Sequence, residues 1–163
     1  MNSDGLLLRK DLRGALNIVQ WPAHVSLVTL RDDLLLPVHA LLRQGYADAS
    51  GSLEPFAIWC QRWRGDAEYD PQLCFIAMRD GDVVGVAHGW TSAYLKDLVV
   101  HARYQGQGIG RALLAQVFDA YKQRGEPWVD LRVMQGNVRA RRMYERAGMV
   151  QVQRVELCAK IRR

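Results

Sequence analysis

No run of apolar residues in this chain reaches the roughly 18 that a membrane-spanning helix needs, although 49% of its residues are apolar. A soluble protein with no membrane partner is expected. The first residues, MNSDGLLLRKDLRG, also lack the apolar core of a secretory signal, because three leucines are followed at once by Arg9, Lys10 and Asp11. The default expectation is a cytoplasmic location. Cysteine is scarce: Cys60, Cys74 and Cys158 are far apart and free of any CxxC or HxxxH pattern, so they read as buried thiols rather than disulfides or metal ligands. No metal is expected. Internal repeats and low-complexity tracts are absent, and 163 residues suit one domain with a real core but not two.

Charge is the first positive feature. Lys and Arg number 22 against 17 Asp and Glu, and the pI is about 9.4, a balance that suits nucleic acid, a membrane surface or an anionic cofactor. Arg139, Arg141, Arg142 and Arg146 concentrate on one segment. They recur around much of a helix without interleaved exposed aromatics, which reads as a solvated face more than as a nucleic-acid interface.

The apolar pattern divides the chain into elements. VSLVTL (25–30) reads as a strand, and DDLLLPVHALLRQ (32–44) as a helix whose regular part Pro37 confines to the residues after it. GYADASGSLEP (45–55) is a loop by composition, FAIWCQRWR (56–64) a second helix, and 64–71 an acidic loop. LCFIAM (73–78) and VVGVAHGWT (83–91) form a hairpin around Asp80-Gly81, followed by a strand at 94–101. A helix ending before Gly125, a strand at 128–134, a helix from Asn137 to Gly148 and closing strand material at 149–161 complete the order. Residues 1–24 fit no slot and are set aside as an extension, with the domain taken as 25–163. The fold class is α/β, in the α+β sense of a mixed sheet with strand-helix-strand crossovers in its second half.

QGQGIGR (105–111) then asks for a ligand. Three glycines between a strand and a helix let successive backbone N–H groups converge where the helix N-terminus adds partial positive charge, an arrangement that serves a pyrophosphate. Arg111 in the first turn adds a charged donor. A dinucleotide site wants GxGxxG, whose third glycine falls here on Arg111, and a triphosphate loop wants a Gly-Lys pair that the chain lacks. A tight strand-to-helix connection with no ligand stays open on these residues alone.

The surroundings carry a resemblance. YLKDLVVHARYQGQGIGRALL, followed by LRVMQGNVRARRMYERAGMV with Asn137, Ala140, Tyr144 and Gly148 in place, resembles the GNAT superfamily of acyl-CoA-dependent N-acyltransferases. The match is close over roughly 94–152 and by element order over 25–93, although Ala102 stands where many members have proline. It implies a central mixed, mostly antiparallel sheet flanked by helices, with acetyl-CoA as co-substrate. The backbones of Leu98 and Val100 would pair with pantetheine. The amides of Gln105, Gly106, Gln107, Gly108, Gly110 and Arg111 would hold the pyrophosphate, and Asn137 would contact the cofactor while capping its helix. Tyr144 would act as general acid to the departing thiolate, in a direct transfer of acetyl to a primary amine on a small molecule, peptide or protein.

The base is less legible. Some relatives carry a carboxylate on the pantetheine strand, but counting back from Val100 gives Leu98, Lys96 and Tyr94, with Asp97 out of phase. His88, Glu54, Glu68 and Asp70 are the other candidates, or water. The acids Asp48, Glu54, Asp66, Glu68 and Asp70 in the two loops on the acceptor side favour a cationic amine, or form an ordinary solvated surface. A non-catalytic acyl-CoA-binding module on the same fold is the rival reading, and the last segment, VELCAKI, offers an edge for a homodimer.

Overall fold

The computed structural model describes residues 4–48 and 51–156. The elements run β1 (Asp4–Asp11), β2 (Ser26–Thr29), α1 (Leu35–Asp48), α2 (Phe56–Gly65), β3 (Cys74–Arg79), β4 (Asp82–Trp90), β5 (Tyr94–Val100), α3 (Ile109–Gln123), β6 (Trp128–Met134), α4 (Val138–Arg146) and β7 (Val150–Glu156). The seven strands form one sheet in the order β2-β3-β4-β5-β6-β1-β7, antiparallel throughout except for β5 against β6. This is the mixed, mostly antiparallel sheet expected, and its helices cover both faces. α3 and α4 enclose a core that includes Leu95, Leu113 and Leu131, while α1 and α2 enclose one that includes Val38, Trp59 and Ile76.

Three local expectations change. α1 begins before Pro37, which sits in the first turn, where a missing N–H has no partner to lose. The helix also continues to Asp48, through residues whose composition suggests a loop. Gly45 explains this: a Cβ there would lie 2.7 Å from Val99 Cγ1, so the glycine lets α1 lie close on β5.

Residues 4–11, left without a slot by the sequence, form a strand inside the sheet. β1 pairs with β6 on one side and β7 on the other, and Leu6, Leu8 and Leu12 are buried under α3 and α4. The charges that disguise it are held across the strands. Arg9 Nε donates to Asp130 Oδ1 at 2.7 Å on β6, and its guanidinium lies 4.2 Å from the Trp128 ring centroid. At the other end, β7 accounts for the closing strand as far as Glu156. Cys158 and most of VELCAKI lie outside the described residues.

Candidate active site

β5 and β6 pair at one position, Tyr94 opposite Asp130, where Asp130 N–H donates to the Ala93 carbonyl at 3.0 Å. Beyond it the strands diverge and the sheet opens. On its other side β5 stays paired with β4, with Val100 opposite Gly85 and Leu98 opposite Ala87. His101 N–H donates to the Val84 carbonyl at 2.8 Å, which fixes the phase of that ladder. Because bonded residues alternate along an antiparallel pair, Val99 turns its N–H and C=O to β4, whereas Leu98 and Val100 turn theirs into the gap. The Val100 carbonyl accepts there from Gln105 Nε2 at 3.1 Å.

The glycine loop closes one end of the gap. Gly106 and Gly108 have φ of +80° and +91°, the left-handed region that L side chains rarely adopt, and Gly108 is the N-cap of α3. Gly110 has a different reason: a Cβ there would be 3.0 Å from Met143 Sδ and 3.4 Å from Val100 Cγ2, so α3 packs closely on both. Gln105 ties the loop to α4, its Oε1 accepting from Arg139 Nη1 at 2.9 Å. Asn137 caps α4 by accepting from Ala140 N–H at 3.3 Å. Leu98, Val100, Gln105, Gly106, Gly108, Gly110, Arg111 and Asn137 line one cleft of about 1060 Å³, the scale of a large ligand. Gln107 borders a smaller neighbouring cleft beside Ile18 to Pro22.

Tyr144 lies on the inner side of α4 and is 8% exposed. Burial, then the charge of Asp97 and the neighbouring Tyr94, push its phenol up to about 12, so it stays protonated at neutral pH. Asp97 itself belongs to the other face of the sheet. Its Oδ1 accepts from the Tyr46 hydroxyl at 2.6 Å, and its Oδ2 lies 3.3 Å from His88 Nδ1.

Counting along the strand from Val100 sets Asp97 on the opposite face, and the structure places it there, beside His88 and Tyr46. β4 and β5 shift register between His88 and Gly89, so that His88 faces Asp97 while Gly89 faces Leu95, and Lys96 is the extra residue of a bulge. Strict alternation from Val100 therefore fails beyond Asp97. Burial tends to raise the carboxyl, but the hydrogen bond with His88, the charge of Lys96 and the Tyr46 hydroxyl together hold it below the usual range. His88, 1% exposed, stands behind it and not in the cleft. Trp63 Nε1 lies 2.8 Å from His88 Nδ1 and 3.0 Å from His88 Nε2, so the imidazole stands between the indole and Asp97.

The loop acids have structural partners. Glu54 pairs with Arg62, Glu68 accepts from Thr91 and Ser92, Asp66 caps the Glu68 N–H, and Asp70 pairs with Arg124 at 2.8 Å. Asp48 ends α1. Among the described residues, no cluster of three or more His, Cys, Asp or Glu is placed to hold a metal ion, and no helix is long and apolar enough to cross a membrane.

A sheet split at one parallel pair, with a glycine-rich helix start at the mouth of the split, defines an acyl-CoA transferase type of fold. The family model for the acetyltransferase (GNAT) family matches residues 37–149, and the chain belongs to that family. It is 34% identical to a mycothiol acetyltransferase of Beutenbergia cavernae over 94 residues, covering 54% of this chain and 32% of that protein. It is 31% identical to the N-alpha-acetyltransferase MAK3 of Arabidopsis thaliana over 109 residues, covering 63% and 56% respectively. Among solved structures, a GCN5-related N-acetyltransferase from Sphaerobacter thermophilus superposes with a TM-score of 0.81 at 25% identity, over 93% of this chain and 49% of that one. A tandem GNAT protein from the clavulanic acid biosynthesis pathway superposes at 0.65 and 18% identity, over 93% and 51%. The chain thus spans between about a third and somewhat over half of the length of these relatives.

Proposed function

We propose that this chain is an acetyl-CoA-dependent N-acetyltransferase that moves the acetyl group directly to a primary amine. The observation that carries the reading is the backbone edge at Leu98 and Val100, turned away from β4 into a gap whose mouth is the 105–111 loop. An extended pantetheine arm adds to such an edge as a strand would. The amides from Gln105 to Arg111, with the Arg111 and Arg139 guanidiniums, suit the pyrophosphate. Asn137 stands beside that path.

Tyr144 and Asp97 then divide the proton work. As the amine nitrogen bonds to the acyl carbon and the carbon–sulfur bond breaks, Tyr144 gives its proton to the leaving thiolate. The nitrogen's surplus proton passes to Asp97, directly or through the Tyr46 hydroxyl. A backbone N–H of the β5 edge stabilises the oxyanion, and no covalent enzyme intermediate forms.

Saturating acetyl-CoA, at about 100 times its Kd, is expected to raise the melting temperature by about 5–10 °C. A panel of small amines, amino acids and peptides, read by free thiol release, is expected to contain an acceptor. Tyr144→Phe should then lower kcat by about 100-fold or more with little change in acetyl-CoA binding. No stabilisation would overturn the site. Stabilisation without thiol release on any acceptor would leave a binding module, and undiminished kcat in Tyr144→Phe would remove the tyrosine's role.

A further inference from the structure

The closed end of the split has a floor on the face of the sheet turned away from α3 and α4. Leu131 and Val133 of β6 are buried under those helices, so Arg132 between them turns to the opposite face. Gly89 of β4 lies against Tyr121 of α3, which sends Trp90 the same way, and Tyr94 of β5 stands opposite Trp90. The two rings lie with centroids 5.4 Å apart. Lys96 Nζ is 5.7 Å from the Trp90 centroid, and the Arg132 guanidinium carbon is 6.0 Å from that of Tyr94, so each ring carries a cation. Because β5 and β6 run parallel from the pair of Tyr94 and Asp130, Lys96 and Arg132 each stand two residues beyond it, on the two rims of the opening. α1 packs on β4 and β5 but leaves both cations exposed.

Charge on this floor is one-sided. The carboxylates of β5 and β6 are already held: Asp130 takes the Arg9 guanidinium through both oxygens, at 2.7 and 2.8 Å, and Asp97 takes Tyr46 and His88. Glu54, Glu68 and Asp70, the loop acids that would favour a cationic amine, are engaged by Arg62, by Thr91 and Ser92, and by Arg124. No carboxylate of the described residues forms an ion pair with Lys96 or Arg132. Two such cations, facing each other across the opening where an amine must meet the thioester, suit an anionic group on the amine's own molecule.

With the gap read as an acetyl-CoA site, on which this rests, we infer that the acceptor carries a carboxylate beside its amine, as an amino acid does. Lys96 and Arg132 receive that carboxylate over the Trp90 and Tyr94 rings while the amine reaches the opening beside Asp97. The planar guanidinium of Arg132 matches both carboxylate oxygens, and Lys96 adds a point charge. The carboxylate stays outside the chemistry: the nitrogen loses a proton and gains the acetyl group, the sulfur leaves as the thiol, and the carboxylate is unchanged.

Initial rates of thiol release by the full chain at saturating acetyl-CoA test this on matched acceptors: α-amino acids and ω-amino acids of increasing length, each against its own carboxamide, with diamines alongside. A carboxylate makes a neighbouring amine more basic than an amide does, so unassisted transfer at neutral pH favours the amide. The best acid is expected nevertheless to exceed its amide by about 10- to 100-fold in kcat/KM, the range for hydrogen bonds to charged groups. Lys96→Gln and Arg132→Gln, both at exposed positions, should each raise KM for the acid and bring that ratio towards one, with stabilisation by acetyl-CoA retained. Amides or diamines used as well as the acids or better, or a ratio that both variants leave as it stands, would overturn the carboxylate seat while leaving the transferase reading intact. Stabilisation by acetyl-CoA without thiol release on any acceptor would remove the transferase reading itself and this seat with it.

Discussion

Asp97 has one oxygen engaged by Tyr46 and the other by His88, and its side chain is only 10% exposed. Asparagine there keeps the shape but turns a donor towards one of two donors. Asp97→Asn is expected to lose about 1–3 kcal/mol of stability at pH 7, the penalty of a buried polar group left unpaired. The sign with pH follows from the lowered carboxyl pKa. Its contribution is complete above the unfolded value of about 3.9 and is lost as the pH falls through the folded value. Urea midpoints of the two proteins should therefore converge towards acid, and an equal gap at pH 7 and pH 3 would show that the ionised form is not what matters. In the proposed role of proton acceptor, Asp97 should also carry about 10²–10⁴ of kcat/KM, with acetyl-CoA binding retained. The place of Tyr144 on α4 was legible because that helix has a recognisable pattern with a cap at Asn137. Asp97 falls on the face that strand counting gives it, but the partners that surround it there, Tyr46 of α1 and His88 of β4, come from elsewhere in the chain and are not announced in YLKDLVV.

At the scale of elements, the glycine loop does two different jobs that one motif conceals. Gly108 is needed for its φ of +91°, and Gly110 for its closeness to Met143 Sδ and Val100 Cγ2. Gly108→Ala must hold a side chain in the left-handed region, a loss of about 1–2 kcal/mol, or else remodel the loop. Gly110→Ala meets first a flexible thioether, which can move by a few tenths of an ångström. Gly108→Ala is thus expected to lower both stability and acetyl-CoA affinity more than Gly110→Ala. Urea midpoints and titrations on the two variants check the order, and the reverse ranking would mean that close packing governs the loop. Loop, α3, β6 and α4 were all readable because each is bounded by local signals: glycine, a cap and helical apolar spacing. The last turn of α1 was not, since Gly45 and Tyr46 resemble loop residues until Val99 and Asp97, about fifty positions away in sequence, supply their partners.

At the scale of the molecule, the position of β1 decides how the sheet holds together, and nothing local in DGLLLRKD announces it. The strand lies inside the sheet, next to its β7 edge, its pairing with β6 running from Gly5 to Asp11 and with β7 from Asp4 to Arg9. Such a place depends on partners more than a hundred residues later in the chain, as in the Arg9 to Asp130 pair. Without β1, β7 would have no neighbour among the described strands and β6 would present an open edge. Leu6 and Leu8, 4% and 2% exposed, would also leave the core under α3 and α4. Losing two such leucines at about 2–5 kcal/mol each approaches the whole stability of an ordinary domain, about 5–15 kcal/mol. Removal of residues 1–11 is therefore expected to give a chain without a cooperative thermal transition by circular dichroism. The graded form of the same test compares alternate positions of the strand. Leu8→Ala should lose about 2–5 kcal/mol in urea unfolding, whereas Leu7→Ala, half-buried on the opposite face, should lose clearly less. A truncated chain that melts cooperatively at the original temperature, or equal losses at Leu7 and Leu8, would mean that β1 is an accessory strand and that the domain stands on residues 25 onward.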